Sequence, residues 1–477
     1  MATRWVACVL SGLHLDLGWV AAATKGRLMS GDPSLAIGPV VTDSRTAKSG
    51  DLFVALQGPR FDGHQFVKDV LAHGAAGVVV QSDQASVFTS QPPAGVVAVD
   101  DTLLALQEMA REIRRQSGAK VVAITGSAGK TTTKEAIADC LAARYQVVKN
   151  KGNLNNHIGL PLSLTELRTC PDVAVMELGM NHAGEIRTLV SIAEPDVRVW
   201  TNVGDAHIGF FDSADAIADA KAEILEGSDG RSVLVCNADD PRVMSRVQRF
   251  AGRTVTFGTA ADATVRAQQV EDLGLDGMRA TVSTPAGDRT ITTPLLGRGN
   301  LSNALAAVAV SLELGVSLDI AATRVAGLTP APRRGAVHRL RDDVRLVDDS
   351  YNSSPTALRR ALDVIAHTAA TGRKVAVLGE MLELGDHADE LHRQCGKAAA
   401  DAGVDRLFVI GGAPSRALGD AALKAGLMPS TVSWFARSED AAPAVVADIG
   451  PGDAVLVKGS RGIRTDVVVD RLIAELG

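Results

Sequence analysis

The stretch Val121–Glu135, VVAITGSAGKTTTKE, sets a lysine and a run of threonines directly behind a turn of small residues. The apolar, β-branched run before Gly126 predicts a strand, and the residues from Lys130 onward predict a helix. Small residues let backbone N–H groups turn inward, and a helix start adds the positive end of its dipole. The segment therefore suits the phosphates of ATP or GTP. Thr125, Gly126, Ser127, Ala128, Gly129, Lys130, Thr131 and Thr132 form the candidate cradle. Lys130 would neutralise β- and γ-phosphate charge, and the Thr131 hydroxyl would hold Mg²⁺. The two glycines stand closer together than in the common G-x-x-x-x-G-K-[ST] pattern. A structural glycine turn with a solvated lysine is the alternative, which the flanking strand and helix disfavour.

Further polar residues stand at the ends of apolar runs. Glu177 closes VAVME, where a carboxylate beside a phosphate loop is placed to ligate Mg²⁺ or its water. His207 follows TNVGDA and, taken alone, reads as a packing or hydrogen-bonding histidine. Lys221, in DAIADAKAEILEG, reads by default as a surface lysine. An ammonium facing a metal would repel it, whereas reaction with CO₂ would convert it to an anionic ligand; residue chemistry alone does not choose between the two. Asn153, Asn155 and Asn156 form a cluster suited to sugar or phosphate recognition, or to a loop that caps the next helix. Asp348-Asp349-Ser350-Tyr351-Asn352 follows another strand and suits ribose hydroxyls. Lys458-Gly459-Ser460-Arg461-Gly462 closes the last expected strand with donors suited to a carboxylate or phosphate. Neither a G-x-S-x-G elbow nor a supportable Cys–His pairing is present, so the attacking group belongs to a substrate.

Three α/β blocks must position these residues: 1–118, 119–330 and 331–477. The first carries short strands at Asp51–Leu56, Gly77–Val80 and Gly95–Val99, with helices near Gln65–Ala72 and Thr102–Gln116. The second adds buried-looking strands at Val173–Leu178, Val197–Val203, Ser232–Asn237 and Thr254–Gly258. These predict a mostly parallel sheet with ligands at the strand C-terminal ends. Pro330–Gly335 is a linker or hinge. The third block repeats the pattern at Lys374–Gly379, Arg406–Gly412 and Ala454–Gly459.

A chain of 477 residues is long for one hydrophobic core, and 46% hydrophobic with 22% charged residues is ordinary for a globular protein. The net charge of −6 argues against a nucleic-acid partner or an anionic membrane surface. Five scattered cysteines with no C-x-x-C pair suggest reduced, mostly buried thiols. Arg4, His14 and Asp16 interrupt the apolar N-terminus, so it reads as neither a signal peptide nor a membrane span, and the expected location is the cytoplasm.

In order and spacing, TGSAGKTTTKE, NLNNHIGLP, ELGMNHAGEI, NVGDAHIGFF, AKAEI, GRGNLSNALAA, DDSYNSSPTAL, LGEMLELG and KGSRGIRT resemble the Mur ligases from about residue 40 to the C-terminus. The resemblance implies an N-terminal domain for the UDP end of the substrate, a central ATPase domain and a Rossmann-like C-terminal domain. It implies ATP-driven amide formation through an acyl phosphate, joining D-alanyl-D-alanine to UDP-MurNAc-tripeptide, by a monomer that inserts into no membrane.

Carried over by that resemblance, Lys130 and the loop hold phosphate, while Thr131 and Glu177 hold a first Mg²⁺. His207 and a carbamylated Lys221 hold a second. Asn300 and Asn303 meet the adenine end, and Asp349 the ribose. Arg333 or Arg334 reaches the phosphates once the hinge closes. Ser44 and Arg45 lie on the uridine side, and Asn153, Asn155 and Asn156 on the substrate-facing loop. Asn352, Lys458, Ser460 and Arg461 help to place the dipeptide. The chain departs from the family at Gly299, where a histidine is usual, and at Ile208-Gly209-Phe210-Phe211, where Leu-Glu-Gly-Phe is usual. Two rivals remain. One is a family member that adds a single third amino acid, for which no D-N-P-R-like signature is present. The other is a non-catalytic nucleotide-binding scaffold.

Overall fold

The computed structural model describes residues 12–89 and 94–477. Cys8 and most of the apolar N-terminus lie outside the described residues. The strands fall into three main sheets, each built from a separate stretch of chain.

The first sheet runs Arg27–Ser30, Gly95–Val99, Gly77–Gln81, Leu52–Val54 and Val40–Val41. All its pairings are parallel except that of the Arg27–Ser30 edge. The helix Thr102–Ser117 shows how the sequence sets such an element. Asp101 accepts from the N–H groups of Leu103 and Leu104, Gly118 ends the helix in a left-handed turn, and Leu106, Met109 and Ile113 make its buried stripe.

The central sheet has nine strands. Val147–Lys149, Val173–Glu177, Lys120–Thr125, Val197–Trp200, Val233–Asn237, Arg253–Gly258 and Val265–Asp272 lie side by side and parallel. Met278–Thr284 and Gly287–Thr293 extend it antiparallel. That extension was not expected from the sequence. Met278–Thr284 alternates buried with more exposed positions and Gly287–Thr293 is exposed over its first four residues, so neither has the continuous apolar run that marks the others. Lys120–Thr125 is buried from Val121 onward because helices cover both faces of the sheet centre. Register sets Glu177 beside Ile124, and Trp200 beside Thr125. The polar residues that follow these three strands therefore emerge together.

The third sheet orders Ala336–Arg339, Arg345–Asp349, Ala454–Lys458, Lys374–Gly379, Arg406–Ile410 and Val432–Phe435, parallel except at its first pair. Asp349 pairs with Lys458 in register, at the strand ends nearest the central sheet. Cys140, Cys236 and Cys395 are buried free thiols whose pKa burial pushes up to about 12. Cys170 departs from the expectation of reduced thiols, being disulfide-bonded. A bridge depends on close approach of two Cβ atoms in the fold, which spacing along the chain does not reveal. Among the described residues no helix is long and apolar enough to cross a membrane.

Candidate active site

The strand Lys120–Thr125 delivers the small-residue turn to a cleft of about 970 Å³ between the central and third sheets. No side chain caps the helix Lys130–Leu141, so its first N–H groups remain available where Gly129–Thr132 line the cleft. Gly129 holds φ at +83°, with the Asn303 amide packed where a Cβ would stand. In Gly129→Ala the left-handed backbone would cost about 1–3 kcal/mol. We expect affinity for a non-hydrolysable ATP analogue to fall about tenfold or more by calorimetry.

The turn is braced from the neighbouring strand. Ala128 N–H donates to Asn202 Oδ1 at 2.9 Å, and Asn202 Nδ2 donates back to the Ala128 carbonyl at 2.9 Å. Ser127 Oγ donates to the Gly204 carbonyl at 3.1 Å. Lys130 Nζ folds back to donate to the Gly126 carbonyl at 2.8 Å. Burial lowers the Lys130 pKa and Arg334 lowers it further, while Glu177 opposes both. Thr125 is fully buried, its hydroxyl directed at the Leu178 carbonyl, so it supports the turn from below and does not line the cleft.

Thr131 Oγ1 donates to Glu177 Oε2 at 2.7 Å, and Asn155 Nδ2 donates to Glu177 Oε1 at 2.9 Å. Asn150, one residue past its strand, brackets the Glu177 backbone by accepting from its N–H at 3.0 Å and donating to its carbonyl at 3.1 Å. A hydroxyl beside a buried carboxylate is an oxygen donor set that fits a hard divalent cation. Asn156 instead accepts from Gly159 N–H at 2.8 Å at the start of the next helix, and Asn153 stays exposed at the cleft rim. Of the cluster, Asn156 takes the helix-capping role, and Asn155 holds the Glu177 carboxylate.

Lys221 is buried, not superficial, and its amine has no hydrogen-bond or ion-pair partner among the described residues. Burial holds its pKa well below the ordinary lysine range, and Lys130 adds repulsion. His207 is likewise held below its ordinary value by burial and by Lys130 and Lys221, against the pull of Glu383.

The third sheet supplies the opposite wall. Lys458 Nζ donates to Asp349 Oδ2 at 2.6 Å and to the Asn352 carbonyl at 2.9 Å. Burial raises the Asp349 pKa, which Lys458 counters. The Arg334 guanidinium lies 4.0 Å from the centre of the Tyr351 ring, and that of Arg461 lies 5.6 Å from it. Arg333 points elsewhere, to Asp466 at 3.2 Å and Asp470 at 3.1 Å, leaving Arg334 as the arginine of the pair in the cleft. Ser460 is buried, and its hydroxyl accepts from Leu382 N–H at 2.9 Å. Asn300 and Asn303 join through a 3.0 Å amide hydrogen bond. Gly299 faces the Arg360 side chain, 3.0 Å from where its Cβ would stand, so an arginine occupies the space beside the missing histidine. Ser44 and Arg45 are outside the cleft lining; Arg45 is exposed and paired with Asp43 at 2.6 Å.

Asn150, Asn202 and Glu383 were not anticipated as site residues. The first two stand one and two residues past the ends of parallel strands, a signal related to the one that singled out Glu177 at its strand end.

His392 anchors the loop that carries Glu383. Its Nε2 accepts from Met381 N–H at 3.0 Å, and its Nδ1 donates to the Ala388 carbonyl at 2.7 Å, which fixes the neutral ring. Burial lowers its pKa below the ordinary 6.5. Above that value folded and unfolded chains both hold it neutral, and its contribution to stability is intact. As pH falls below 6.5 the unfolded chain takes the proton first, so stability is lost. Urea unfolding should show a larger drop from about pH 7.5 to about 5.5 for the parent than for His392→Gln, which has no such proton to take.

Residues 37–114 match the family model described as Mur ligase family, catalytic domain; 124–311 match Mur ligase middle domain; and 333–461 match Mur ligase, glutamate ligase domain. The chain is 34% identical over 457 residues to the UDP-N-acetylmuramoyl-tripeptide–D-alanyl-D-alanine ligase of Bacillus subtilis, covering 95% of this chain and 97% of that one. Its counterpart in Escherichia coli is 36% identical, covering 84% and 86%. A crystal structure of MurF from Acinetobacter baumannii superposes with a TM-score of 0.87 at 31% identity, covering 97% and 100%. MurF from Thermotoga maritima in complex with ADP gives 0.80 at 29% identity, covering 92% and 97%.

Proposed function

This chain belongs to the Mur ligase family, and from that premise we propose that it joins D-alanyl-D-alanine to UDP-N-acetylmuramoyl-tripeptide with cleavage of ATP. It is a ligase of peptidoglycan precursor synthesis that forms a carbon–nitrogen bond. One observation carries the mechanistic reading: Lys130 and the Thr131–Glu177 pair meet at an uncapped helix start that lines the cleft, and the charge of Lys130 is felt at the buried, partnerless Lys221. ATP and a carboxylate substrate are both anions, so their approach needs neutralisation and alignment more than a protein nucleophile.

In this reading the γ-phosphate passes to the tripeptide carboxylate, giving an acyl phosphate and ADP. The amine of D-alanyl-D-alanine attacks the acyl carbon, loses a proton and expels phosphate. Lys130 and the loop N–H groups hold the phosphates. Thr131 and Glu177 would hold one Mg²⁺, and His207 with Lys221 as its carbamate a second; bound Mg²⁺ supplies charge neutralisation at the reacting oxygens. Asn300 and Asn303 serve the adenine end, Asp349 the ribose, and Arg334 the phosphates. Ser44 and Arg45 serve the uridine side. Asn153, Asn155 and Asn156 face the tripeptide, and Asn352, Lys458 and Arg461 the dipeptide. Residues 1–118, 119–330 and 331–477 are the three functional units, and the enzyme works in the cytoplasm as a monomer.

The test is ATP-dependent phosphate release with UDP-MurNAc-tripeptide, with and without D-alanyl-D-alanine, and the mass of the product. Release that requires both, with the pentapeptide nucleotide formed, is the expected result. Release without the dipeptide, or ligation of a single amino acid in its place, would overturn the assignment.

A further inference from the structure

LGEMLELG, residues 378–385, forms the turn between the strand Lys374–Gly379 and the helix Ala388–Asp401, and the roles assigned so far leave it unused. Its Glu383 reaches across from the third sheet to the central one, where Oε2 lies 2.7 Å from His207 Nδ1. An ionised carboxylate only accepts, so the hydrogen sits on Nδ1 and the lone pair remains on Nε2.

The contact is built at backbone level as well. Gly209 N–H donates to the Glu383 carbonyl at 3.0 Å. A Cβ on Gly209 would stand 2.6 Å from Gly385 N, so the usual glutamate of the family would collide with this loop. His207 and Glu383 both hold φ at +65°, a conformation that non-glycine residues keep only where their surroundings enforce it. The loop is anchored on its own side by Glu380 N–H to the Ile410 carbonyl at 2.8 Å, Met381 N–H to His392 at 3.0 Å, and Leu382 N–H to Ser460 Oγ at 2.9 Å. Just upstream of His207, Asp205 accepts from Thr356 at 3.0 Å and Arg359 at 2.9 Å, a separate bond between the same two units.

A histidine that ligates a metal through one ring nitrogen generally donates from the other to a carboxylate or carbonyl, which fixes its tautomer and raises its basicity. We propose that Glu383 is a positioning residue for His207: docking of the C-terminal unit delivers the carboxylate that holds His207 in its Nδ1–H form and leaves Nε2 to a divalent cation. This rests on the role given to His207 above. Half of the histidine's working geometry therefore comes from the C-terminal unit, and the central unit alone holds an incomplete cation site.

The test begins with the apoprotein, without Mg²⁺ or substrates. In ¹⁵N-histidine NMR, with the His207 resonances assigned by their loss in His207→Gln, the parent should show a protonated Nδ1 and a bare Nε2. Glu383→Ala should shift His207 toward the Nε2–H form. Mn²⁺ binding, followed by electron paramagnetic resonance with an ATP analogue present, should weaken about 10–100-fold in Glu383→Ala. Glu383→Gln, whose amide oxygen still accepts, should recover most of that loss. In turnover the alanine variant should lose kcat while KM for ATP holds. Asp205→Ala removes an interdomain bond without touching the His207 ring and should keep the parent tautomer and Mn²⁺ affinity. An unchanged tautomer and affinity in Glu383→Ala would overturn the proposal. Ligation by the parent is scored separately, so its failure would reject the functional reading while the apoprotein NMR still judges Glu383.

Discussion

Lys221→Ala should lower the rate of ligation by about 10³-fold, a loss of the size seen when one charge-stabilising group is removed from a preorganised site. The lysine amine is buried without a partner, and both burial and Lys130 disfavour its cation. A neutral amine is nucleophilic: its nitrogen adds to CO₂, one proton leaves, and an anionic carbamate with two ligand oxygens results. The same burial that penalises an ammonium thus prepares the group for conversion to an anion. The parent enzyme should slow in CO₂-depleted buffer and recover on addition of bicarbonate. With ¹³C-labelled bicarbonate, a carbamate resonance should be present in the parent and missing from Lys221→Ala. Activity indifferent to CO₂, with no such resonance, would leave Lys221 as a plain amine and remove it from the cation site.

Lys130→Met should be nearly as damaging, lowering kcat/KM for ATP by about 10²–10³-fold. The substitution keeps the unbranched stem and removes the terminal ammonium, with its charge and its hydrogen-bond donors. Lys130 already lies against the Gly126 carbonyl of its own turn, with its cation disfavoured by burial and by Arg334. A bound triphosphate would relieve both burdens at once, so the ammonium is poised to gain more from phosphate than a solvated lysine could. Phosphate release with both substrates gives the rate, and calorimetry with a non-hydrolysable analogue gives the binding share. A variant that kept kcat and lost only affinity would show that Lys130 binds the ground state and transition state equally.

The strand, turn and helix around Lys130 were legible because they are contiguous. An apolar strand, a small-residue turn and a helix start bring successive N–H groups to one place whatever the rest of the chain does, and the strand Lys120–Thr125 and helix Lys130–Leu141 follow that order. Glu177 was legible for a related reason: a polar residue ending a buried parallel strand must emerge at the edge where ligands collect. Lys221 was not. Its alanine-rich segment reads as an ordinary amphipathic helix, and burial is a collective property of what packs around it. Ser460 shows the converse, since a hydroxyl in a promising polar cluster is committed to holding Leu382. Arg333 and Arg334 are adjacent and chemically identical, and only the acids Asp466 and Asp470 on the last helix separate their fates.

By itself, then, the sequence determined the family and the local order of its parts: a small-residue turn with its lysine and threonine between a strand and a helix, and polar strand ends in the order shared by one ligase family. The tertiary structure alone decided which of those groups meet. His207 and Glu383 stand 176 residues apart and touch at 2.7 Å; Asn202 braces Ala128 from 74 residues away. Local spacing fixes backbone geometry within a turn or two. Contacts of this range follow from strand register and from the docking of one sheet on another, which arise from many weak packing choices made together.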